Sequence, residues 1–115
     1  MKFGLDLDGT VYAYPEFFAE FIEAMSARGH QFFCTSAHGR DMWEADCERL
    51  RSLSINPDLI SPDMMYPQQH TDIAKKGAQA QQLDMVFEDD WRVQLHSDTP
   101  IVHMPIRGKR RYQYR

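Results

Sequence analysis

An apolar run opens the chain and leads to two aspartates followed by a glycine, in residues 3–10 (FGLDLDGT). The run predicts a strand. Because strand side chains alternate between faces, Asp6 and Asp8 share one space only if the strand ends near Asp6. Gly9 fits such an ending, since glycine adopts turn conformations that other residues resist. Two crowded acids are electrostatically costly without a cation or a proton between them. The alternative is a solvated acidic turn, but the order D-x-D-G-T directly after a strand favours a functional site.

Strands and helices alternate along the rest of the chain, which is typical of a parallel sheet with helices on both faces. Apolar residues at helical spacing predict helices over about 16–28, 41–53 and from 71 or 72 to 82. Short apolar runs predict strands over about 2–7, 31–35, 59–60, 85–88 and 101–104. At 115 residues the chain has the usual length of one domain. We therefore expect a single α/β domain with a parallel sheet of about five strands.

Four segments, in order along the chain, resemble the motifs of the haloacid dehalogenase (HAD) superfamily, whose members are mostly magnesium-dependent phosphohydrolases. The segments are 3–10 (FGLDLDGT), 31–36 (QFFCTS), 71–76 (TDIAKK) and 85–90 (MVFEDD). The resemblance implies a Rossmann-like, HAD-like phosphatase domain over residues 1–106, followed by a basic tail over 107–115. Short segments fill the positions where relatives insert a cap domain, so we expect a capless protein with an open site.

The resemblance also implies roles for the acidic residues. Asp6 would be the nucleophile that forms an aspartyl-phosphate, and Asp8 would act as general acid and then as general base. Mg²⁺ would be held by the carboxylates of Asp6 and Asp90 and by the backbone carbonyl of Asp8. Asp89 is the alternative ligand, or an acid that orients the waters of the metal. The second acid, Asp8, argues for phosphorus chemistry, since dehalogenases of the superfamily lack it.

The phosphate-binding residues are predicted with two alternatives left open. Thr35 is expected to donate its hydroxyl to a phosphoryl oxygen, but a slip of one residue would replace it with Ser36. Lys75 is expected to neutralise charge on the phosphoryl group. Lys76 competes with it, because adjacent helical residues point in different directions. The spacing from Asp72 favours Lys75 and is similar to that in the phosphatase domain of polynucleotide kinase-phosphatases.

The residues after the second motif have two interpretations. His38 and Arg40 either line the substrate entrance, where Arg40 could bind a second phosphate or a carboxylate, or belong to a polar loop. Four further rings could form a stacking rim over an open site, or could simply be exposed: Tyr12, Tyr14, Tyr66 and His70.

Charge is distributed unevenly between the body and the tail. The net charge is −4, but residues 107–115 hold five basic groups and no acid, which leaves eight basic and 17 acidic groups, a charge of −9, on the rest. The tail either attracts polyanions or is a solvated terminus. No apolar run approaches the roughly 20 residues of a membrane helix. Cys34 and Cys47 are too few for a disulfide framework, so we expect reduced thiols and a cytoplasmic protein without membrane partners.

The sequence thus predicts a magnesium-dependent phosphomonoester hydrolase. Its substrate is expected to be a phosphorylated small molecule, a nucleotide or a nucleic-acid terminal phosphate. A second subunit could cover the open site, so a homo-oligomer is a possible partner state. The alternatives are a nucleic-acid-binding module with a vestigial site and a receiver-like signalling domain, which also places aspartates, a hydroxyl and a lysine on a parallel sheet.

Overall fold

The computed structural model describes residues 1–69 and 72–107. The strands within these residues are β1 (Lys2–Leu5), β2 (Gln31–Cys34), β3 (Ile60–Ser61), β4 (Met85–Glu88) and β5 (Ile101–His103). The α-helices within them are α1 (Pro15–Ala27), α2 (Trp43–Ser52) and α3 (Ile73–Ala80). Each predicted helix and strand is present, with ends that differ by at most about two residues. The largest differences follow from local turns, such as the 3₁₀ turn at Arg40–Met42 that precedes α2.

The sheet has the strand order β3-β2-β1-β4-β5, and every neighbouring pair is parallel. This is the order of the first five strands in a doubly wound α/β fold. The prediction of an α/β fold with a five-stranded parallel sheet is confirmed. Receiver domains instead have the order 2-1-3-4-5, so the topology counts against the receiver-like alternative. The order reverses between β1 and β4, which makes the carboxyl ends of these strands the expected ligand-binding edge.

Alternate residues of the strands enter two separate cores. On one face, Phe3 and Leu5 of β1 pack with Phe18 of α1 and with residues of α2. On the other face, Val86 of β4 packs with Ala80 of α3. Helices therefore cover both faces of the sheet, as the apolar central strands β1 and β4 require, because consecutive residues of these strands are buried on opposite sides.

Gly4 lets β1 approach its neighbours more closely than a side chain would allow. A Cβ atom at this position would lie 2.8 Å from a methyl of Leu83, 2.9 Å from one of Val86 and 3.1 Å from the methyl of Thr35. The methyl of Thr35 therefore packs against the backbone of β1. This contact orients the Thr35 side chain on the face of the sheet that α3 covers.

Three further findings concern membrane spans, the cysteines and the tail. Within the described residues, none of the helices combines the length and the apolar character that a membrane span requires. Cys34 is a buried free thiol in β2, and Cys47 is a free thiol on α2. Of the predicted tail, Arg107 belongs to the described part of the chain, whereas residues 108–115 lie outside it.

Candidate active site

The two acids at the start of the chain lie in different environments. β1 ends at Leu5, and residues 7–11 form a helical turn that opens at Gly9, whose φ of +76° is in the left-handed region that favours glycine. Asp6 directly precedes this turn and is buried, with 4% of its surface exposed. The Asp8 side chain lies within the turn and is 44% exposed. The predicted strand ending is confirmed, and it places one carboxylate inside the protein and the other at its surface.

Strand register brings residues from three motifs to one edge of the sheet. Leu5 pairs with Cys34 on one side and with Phe87 on the other. The next residues of these strands follow in the same order across the sheet: Thr35, Asp6 and Glu88. Because side chains alternate along a strand, all three point toward the face covered by α3.

Four charged side chains at this edge of the sheet form a buried group that we call the inner cluster: Asp6, Lys76, Glu88 and Asp89. The Lys76 Nζ atom donates to Asp6 Oδ1 at 2.9 Å and to Glu88 Oε2 at 2.7 Å. Carboxylate oxygens of Asp6, Glu88 and Asp89 all lie within 4.8 Å of one another. The Thr10 hydroxyl lies 3.2 Å from Asp6 Oδ2 and 3.4 Å from Asp89 Oδ1, and donates to them.

Negative charge is in excess in the inner cluster. Burial, together with the charge of Glu88, raises the pKa of Asp6 well above its usual range, although Lys76 opposes this shift. Burial likewise raises the pKa of Glu88. Burial alone would lower the pKa of Lys76, but Asp6 and Glu88 outweigh it and raise that pKa. Two carboxylates thus share one ammonium, and Asp89 adds a third acid beside them. This cluster of buried acids could bind a metal ion, and its oxygen donors suit a hard cation.

The structure places Lys76, and not the preferred Lys75, in the inner cluster. Consecutive helical residues point about 100° apart. Ile73 and Ala80 of α3 face the core. Lys76 is three residues after Ile73 and four before Ala80, so helical periodicity places it on the same side of the helix. Lys75 is exposed, with its Nζ atom 5.5 Å from the centre of the Tyr66 ring. The helical period, rather than the spacing of the motif, would have identified Lys76. Phosphate binding by either lysine stays a prediction.

The fourth motif also differs from its expected arrangement. Asp90, the preferred metal ligand, accepts hydrogen bonds from Arg92 Nε at 2.9 Å and Nη2 at 2.6 Å, which lowers the pKa of its carboxyl. Asp89, the alternative ligand, belongs to the inner cluster. The position of Asp89 therefore favours it over Asp90 as the metal ligand. Metal binding by either residue stays a prediction.

Glu88 was not predicted, although its position at the end of β4 in line with Asp6 could have identified it. Its Oε1 atom accepts the backbone N–H groups of Asp89 and Asp90 at 3.0 and 3.1 Å. Its Oε2 atom accepts from Lys76. Glu88 thus joins the acidic turn after β4 to the ammonium that faces Asp6.

Thr35 and Ser36 differ in their hydrogen bonding. Both are buried, and Ser36 Oγ accepts the backbone N–H of His38 at 3.1 Å. Thr35 is 2% exposed, and its Oγ1 atom has no hydrogen-bond partner among residues 1–69 and 72–107. An unsatisfied buried hydroxyl costs about 1–3 kcal/mol. Next to Asp6, this hydroxyl is available to donate to a ligand.

A second group of polar side chains, which we call the outer chain, runs from the body of the protein to Asp8: Tyr12, Asp46, His38 and Asp8. The Tyr12 hydroxyl donates to Asp46 Oδ1 at 2.8 Å, and His38 Nδ1 lies 3.0 and 3.1 Å from the two Asp46 oxygens. His38 Nε2 lies 2.8 Å from Asp8 Oδ2. Hydrogen bonds with Asp46 and Asp8 raise the pKa of His38 to about 10. His38 thus faces Asp8 rather than an open entrance, and Asp46, which sequence reasoning missed, holds it from α2.

The other proposed entrance residues make contacts within the chain. Arg40 Nη1 lies 3.8 Å from Asp63 Oδ1, and both side chains are at least half exposed. The Tyr66 hydroxyl donates to the backbone carbonyl of Lys75 at 3.3 Å. His70 lies outside the described residues. These contacts support the polar-loop interpretation of Arg40 and leave the stacking rim a prediction.

The segment at 105–107 packs against the loop that follows the first motif. The Tyr14 hydroxyl donates to the Pro105 carbonyl at 2.7 Å. Arg107 Nη1 donates to the Ala13 carbonyl at 2.8 Å, and its guanidinium carbon lies 4.6 Å from the centre of the Tyr14 ring. These contacts hold Arg107 close to the loop that leads out of the D-x-D-G-T turn.

Comparison with models of known protein families, with curated proteins and with solved structures found no match. The resemblance to the HAD superfamily therefore stays a prediction from the four motifs. The structure adds that residues of all four meet at one edge of the sheet, around Asp6.

Proposed function

We propose that this chain is a magnesium-dependent phosphomonoesterase of the HAD superfamily that works through an aspartyl-phosphate on Asp6. The observation that carries the proposal is the surroundings of this carboxylate. Lys76 contacts it at 2.9 Å, and the Thr35 hydroxyl, which has no partner within the described part of the chain, follows the strand that pairs with β1. A nucleophilic carboxylate next to a cation and a hydroxyl donor matches the needs of phosphoryl transfer, in which charge develops on the phosphoryl oxygens.

The inner cluster fits a divalent cation by its chemistry. Its carboxylates are buried, and burial is the largest cause of the raised pKa of Asp6, to which the charge of Glu88 adds and which Lys76 only partly opposes. Asp6 and Asp89 would hold Mg²⁺ with their carboxylates, and Asp8 with its backbone carbonyl. When bound, Mg²⁺ would supply Lewis-acid charge that stabilises the phosphoryl oxygens in the transition state.

In the first step, a carboxylate oxygen of Asp6 attacks phosphorus and forms a new P–O bond. The bond from phosphorus to the leaving oxygen breaks, and its electron pair goes to that oxygen. Asp8 donates a proton to it, so the alcohol leaves neutral. Thr35 donates a hydrogen bond to the phosphoryl group, and Lys76 offsets the charge near Asp6.

In the second step, a water molecule attacks the phosphorus of the aspartyl-phosphate. Asp8 takes a proton from this water, and the bond from phosphorus to Asp6 breaks with its electron pair returning to the carboxylate. Inorganic phosphate leaves. Asp6 is again a carboxylate and Asp8 again carries the proton with which it began.

The test is hydrolysis of p-nitrophenyl phosphate by the purified chain. We expect turnover with Mg²⁺, no turnover with EDTA, and inhibition by Ca²⁺, whose looser and higher coordination spoils in-line geometry. Asp6→Asn should lower kcat on the order of 10⁶-fold, as loss of a nucleophile does elsewhere. Asp98→Asn, the same change at an exposed site, should have no effect. Equal rates with and without EDTA would contradict the proposal.

The substrate class is proposed as a nucleotide or a nucleic-acid terminal phosphate. Support comes from Arg107, which is held beside the loop of the first motif and begins a stretch with four further cations in the sequence. A nucleic-acid-binding module with a vestigial site is the second candidate, and it predicts oligonucleotide binding without turnover. A cytoplasmic location and a covering second subunit remain predictions.

A further inference from the structure

The outer chain joins Asp8 to the body of the protein through a single imidazole. His38 Nε2 lies 2.8 Å from Asp8 Oδ2, and His38 Nδ1 lies 3.0 Å from Asp46 Oδ2. An ionised carboxylate accepts hydrogen bonds, and a carboxyl group that is protonated on Oδ1 still accepts at Oδ2. An imidazole with hydrogen on both nitrogens therefore donates to Asp46 and to Asp8 Oδ2, and the other Asp8 oxygen is left to carry the catalytic proton. This arrangement gives the imidazole one orientation, because a flipped or rotated ring would lose a charge-assisted hydrogen bond.

The far end of the outer chain is rigid. Asp46 lies within α2 and is 5% exposed. The Tyr12 hydroxyl donates to Asp46 Oδ1 at 2.8 Å, and the Arg49 guanidinium carbon lies 3.9 Å from the centre of the Tyr12 ring. A buried carboxylate on a helix, bonded from a second side, is a fixed support for His38.

The near end of the outer chain faces solvent. The Asp8 side chain is 44% exposed, so water competes for its oxygens, and several rotamers are accessible to an exposed aspartate. General acid–base catalysis requires the carboxyl group to lie within hydrogen-bond reach of the leaving oxygen. A charged donor at 2.8 Å favours one orientation of the carboxyl over the others.

We infer that His38, held by Asp46, is a positioning residue that orients Asp8 for proton transfer to the leaving oxygen. The inference rests on the proposed phosphatase function. The inference gives the segment after β2 a second role. This segment contains both Thr35, the proposed donor to the phosphoryl group, and His38, which aligns Asp8. His38 acts through Asp8 and need not touch the substrate.

The experiment compares two substrates that need the acid to different extents. p-Nitrophenyl phosphate has a good leaving group, whereas glycerol 2-phosphate has a poor one that requires protonation. Because Asp8 also serves the second step, which both substrates share, the comparison uses kcat/KM, which reports the first step. Asp8→Asn should lower kcat/KM for glycerol 2-phosphate by roughly 10²–10⁴-fold and affect that for p-nitrophenyl phosphate much less. His38→Ala should show the same selectivity, with a loss of kcat/KM for glycerol 2-phosphate on the order of 10–10²-fold and a value for p-nitrophenyl phosphate near that of the wild type. His96→Ala, the same change at an exposed residue, is the control.

Two further variants separate positioning from structural damage. Asp46→Asn retains His38 and removes the charge that supports it, and should lower kcat/KM for glycerol 2-phosphate selectively but less than His38→Ala. Asp8→Asn/His38→Ala should lose no more selectivity than Asp8→Asn alone, because residues that act as one unit are not additive. Thermal unfolding of each variant identifies any loss of fold, and His38→Gln replaces His38→Ala if the latter does not fold.

The outcomes distinguish the two proposals. If wild type hydrolyses p-nitrophenyl phosphate but the His38 variants lower kcat/KM for both substrates by the same factor, or for neither, the positioning role is wrong and the phosphatase function stands. Additive losses in Asp8→Asn/His38→Ala would also overturn the positioning role. If wild type hydrolyses neither substrate, the proposed function fails and the inference fails with it.

Discussion

The inner cluster and the outer chain both include an aspartate of the D-x-D-G-T turn, but they differ in how far their charges are compensated. Around Asp6, buried carboxylates outnumber the ammonium of Lys76, and the pKa of Asp6 is raised well above its usual range. Around Asp8, the two ring nitrogens of His38 each lie within hydrogen-bond distance of a carboxyl group, and these contacts raise the pKa of His38 to about 10. A buried excess of one charge is stable only if a ligand or a proton compensates it, whereas a closed hydrogen-bonded chain serves to hold a group in place.

Because of this difference, we expect the inner cluster to bind a ligand and the outer chain to align Asp8. The inner cluster has more buried acids than bases, and the Thr35 hydroxyl beside it has no partner within the described residues, so a metal and a phosphoryl group would satisfy both. The outer chain satisfies its own members and presents one carboxyl group at the surface. Two aspartates that are two residues apart thus acquire different chemistry from burial, and not from their identity.

The largest effect that tests this contrast is expected at the lysine pair. Lys76→Met removes the ammonium from the inner cluster, and should destabilise the fold by about 3–5 kcal/mol, because Asp6 and Glu88 lose the cation they share. It should lower kcat by about 10²–10³-fold, as loss of one electrostatic donor does. Lys75→Met is the matched control and should leave both near wild type. Chemical denaturation and p-nitrophenyl phosphate kinetics measure the two effects, and a greater loss in Lys75→Met would reverse the assignment.

A smaller effect is expected at Thr35. Thr35→Val keeps the shape and removes a hydroxyl that has no partner within the described residues, so stability should be unchanged or should rise slightly. The value of kcat/KM should fall by about 10-fold, which is the weight of one hydrogen bond to a charged group.

The matched control for this change is Thr99→Val. The Thr99 hydroxyl donates to the carbonyls of Ala80 and Leu83, so its loss should lower stability by about 1–3 kcal/mol without affecting kcat/KM. Denaturation and kinetics of both variants check the pair. A loss of stability in Thr35→Val without a change in kcat/KM would show that this hydroxyl is structural.

A third prediction uses the raised pKa of Asp6. Without metal, the ionised carboxylate destabilises the folded state at neutral pH, and this penalty grows as pH rises from the unfolded pKa of about 4 through the folded pKa. Asp6→Asn should therefore melt at a higher temperature than wild type at pH 7, and the difference should vanish below about pH 4. The effect is modest because Lys76 offsets part of the penalty.

Mg²⁺ should reverse this order. It stabilises wild type by binding the folded state, by about 2.7 kcal/mol at 100 times its Kd, and should stabilise Asp6→Asn less. Melting curves at several pH values, with EDTA and with Mg²⁺, measure both effects. A wild type that is more stable than Asp6→Asn at pH 7 in EDTA would contradict an excess of negative charge in the inner cluster.

The smallest effect concerns the tail. Deleting residues 108–115 removes four cations. For a phosphorylated oligonucleotide, the slope of log KM against log salt concentration should therefore fall by up to about 3. KM for p-nitrophenyl phosphate should not change, since this substrate offers a single phosphate. Kinetics at several salt concentrations measure the slope. An unchanged slope would identify the tail as a solvated terminus and favour small phosphoesters as substrates.

Much of the fold was predictable because hydrophobic periodicity is a local property. The alternation of strands and helices, the ending of β1 before the turn, and the four segments that meet at the sheet edge all follow from patterns of a few residues. Element ends were displaced by caps and 3₁₀ turns. These depend on hydrogen bonds that apolar patterns do not encode, such as the one that the Asp72 side chain accepts from the Ala74 N–H before α3.

The members of the site were less predictable, for a reason that differs between residues. Lys76 and Glu88 could have been identified from helical phase and strand register. Asp46 could not, because it approaches His38 only when α2 packs on the sheet, and nothing in its own segment indicates a polar partner eight residues earlier.

The sequence by itself determined the strand–helix alternation, the acid pair at the first turn and the order of the four motifs, since these are properties of neighbouring residues. The tertiary structure alone decided that Lys76 rather than Lys75 faces Asp6, that Asp89 rather than Asp90 joins the inner cluster, and that His38 holds Asp8. The physical reason is that burial and ion pairing depend on which side chains packing brings within about 3 Å, and these can be far apart along the chain, as are Asp6 and Lys76 at 70 positions.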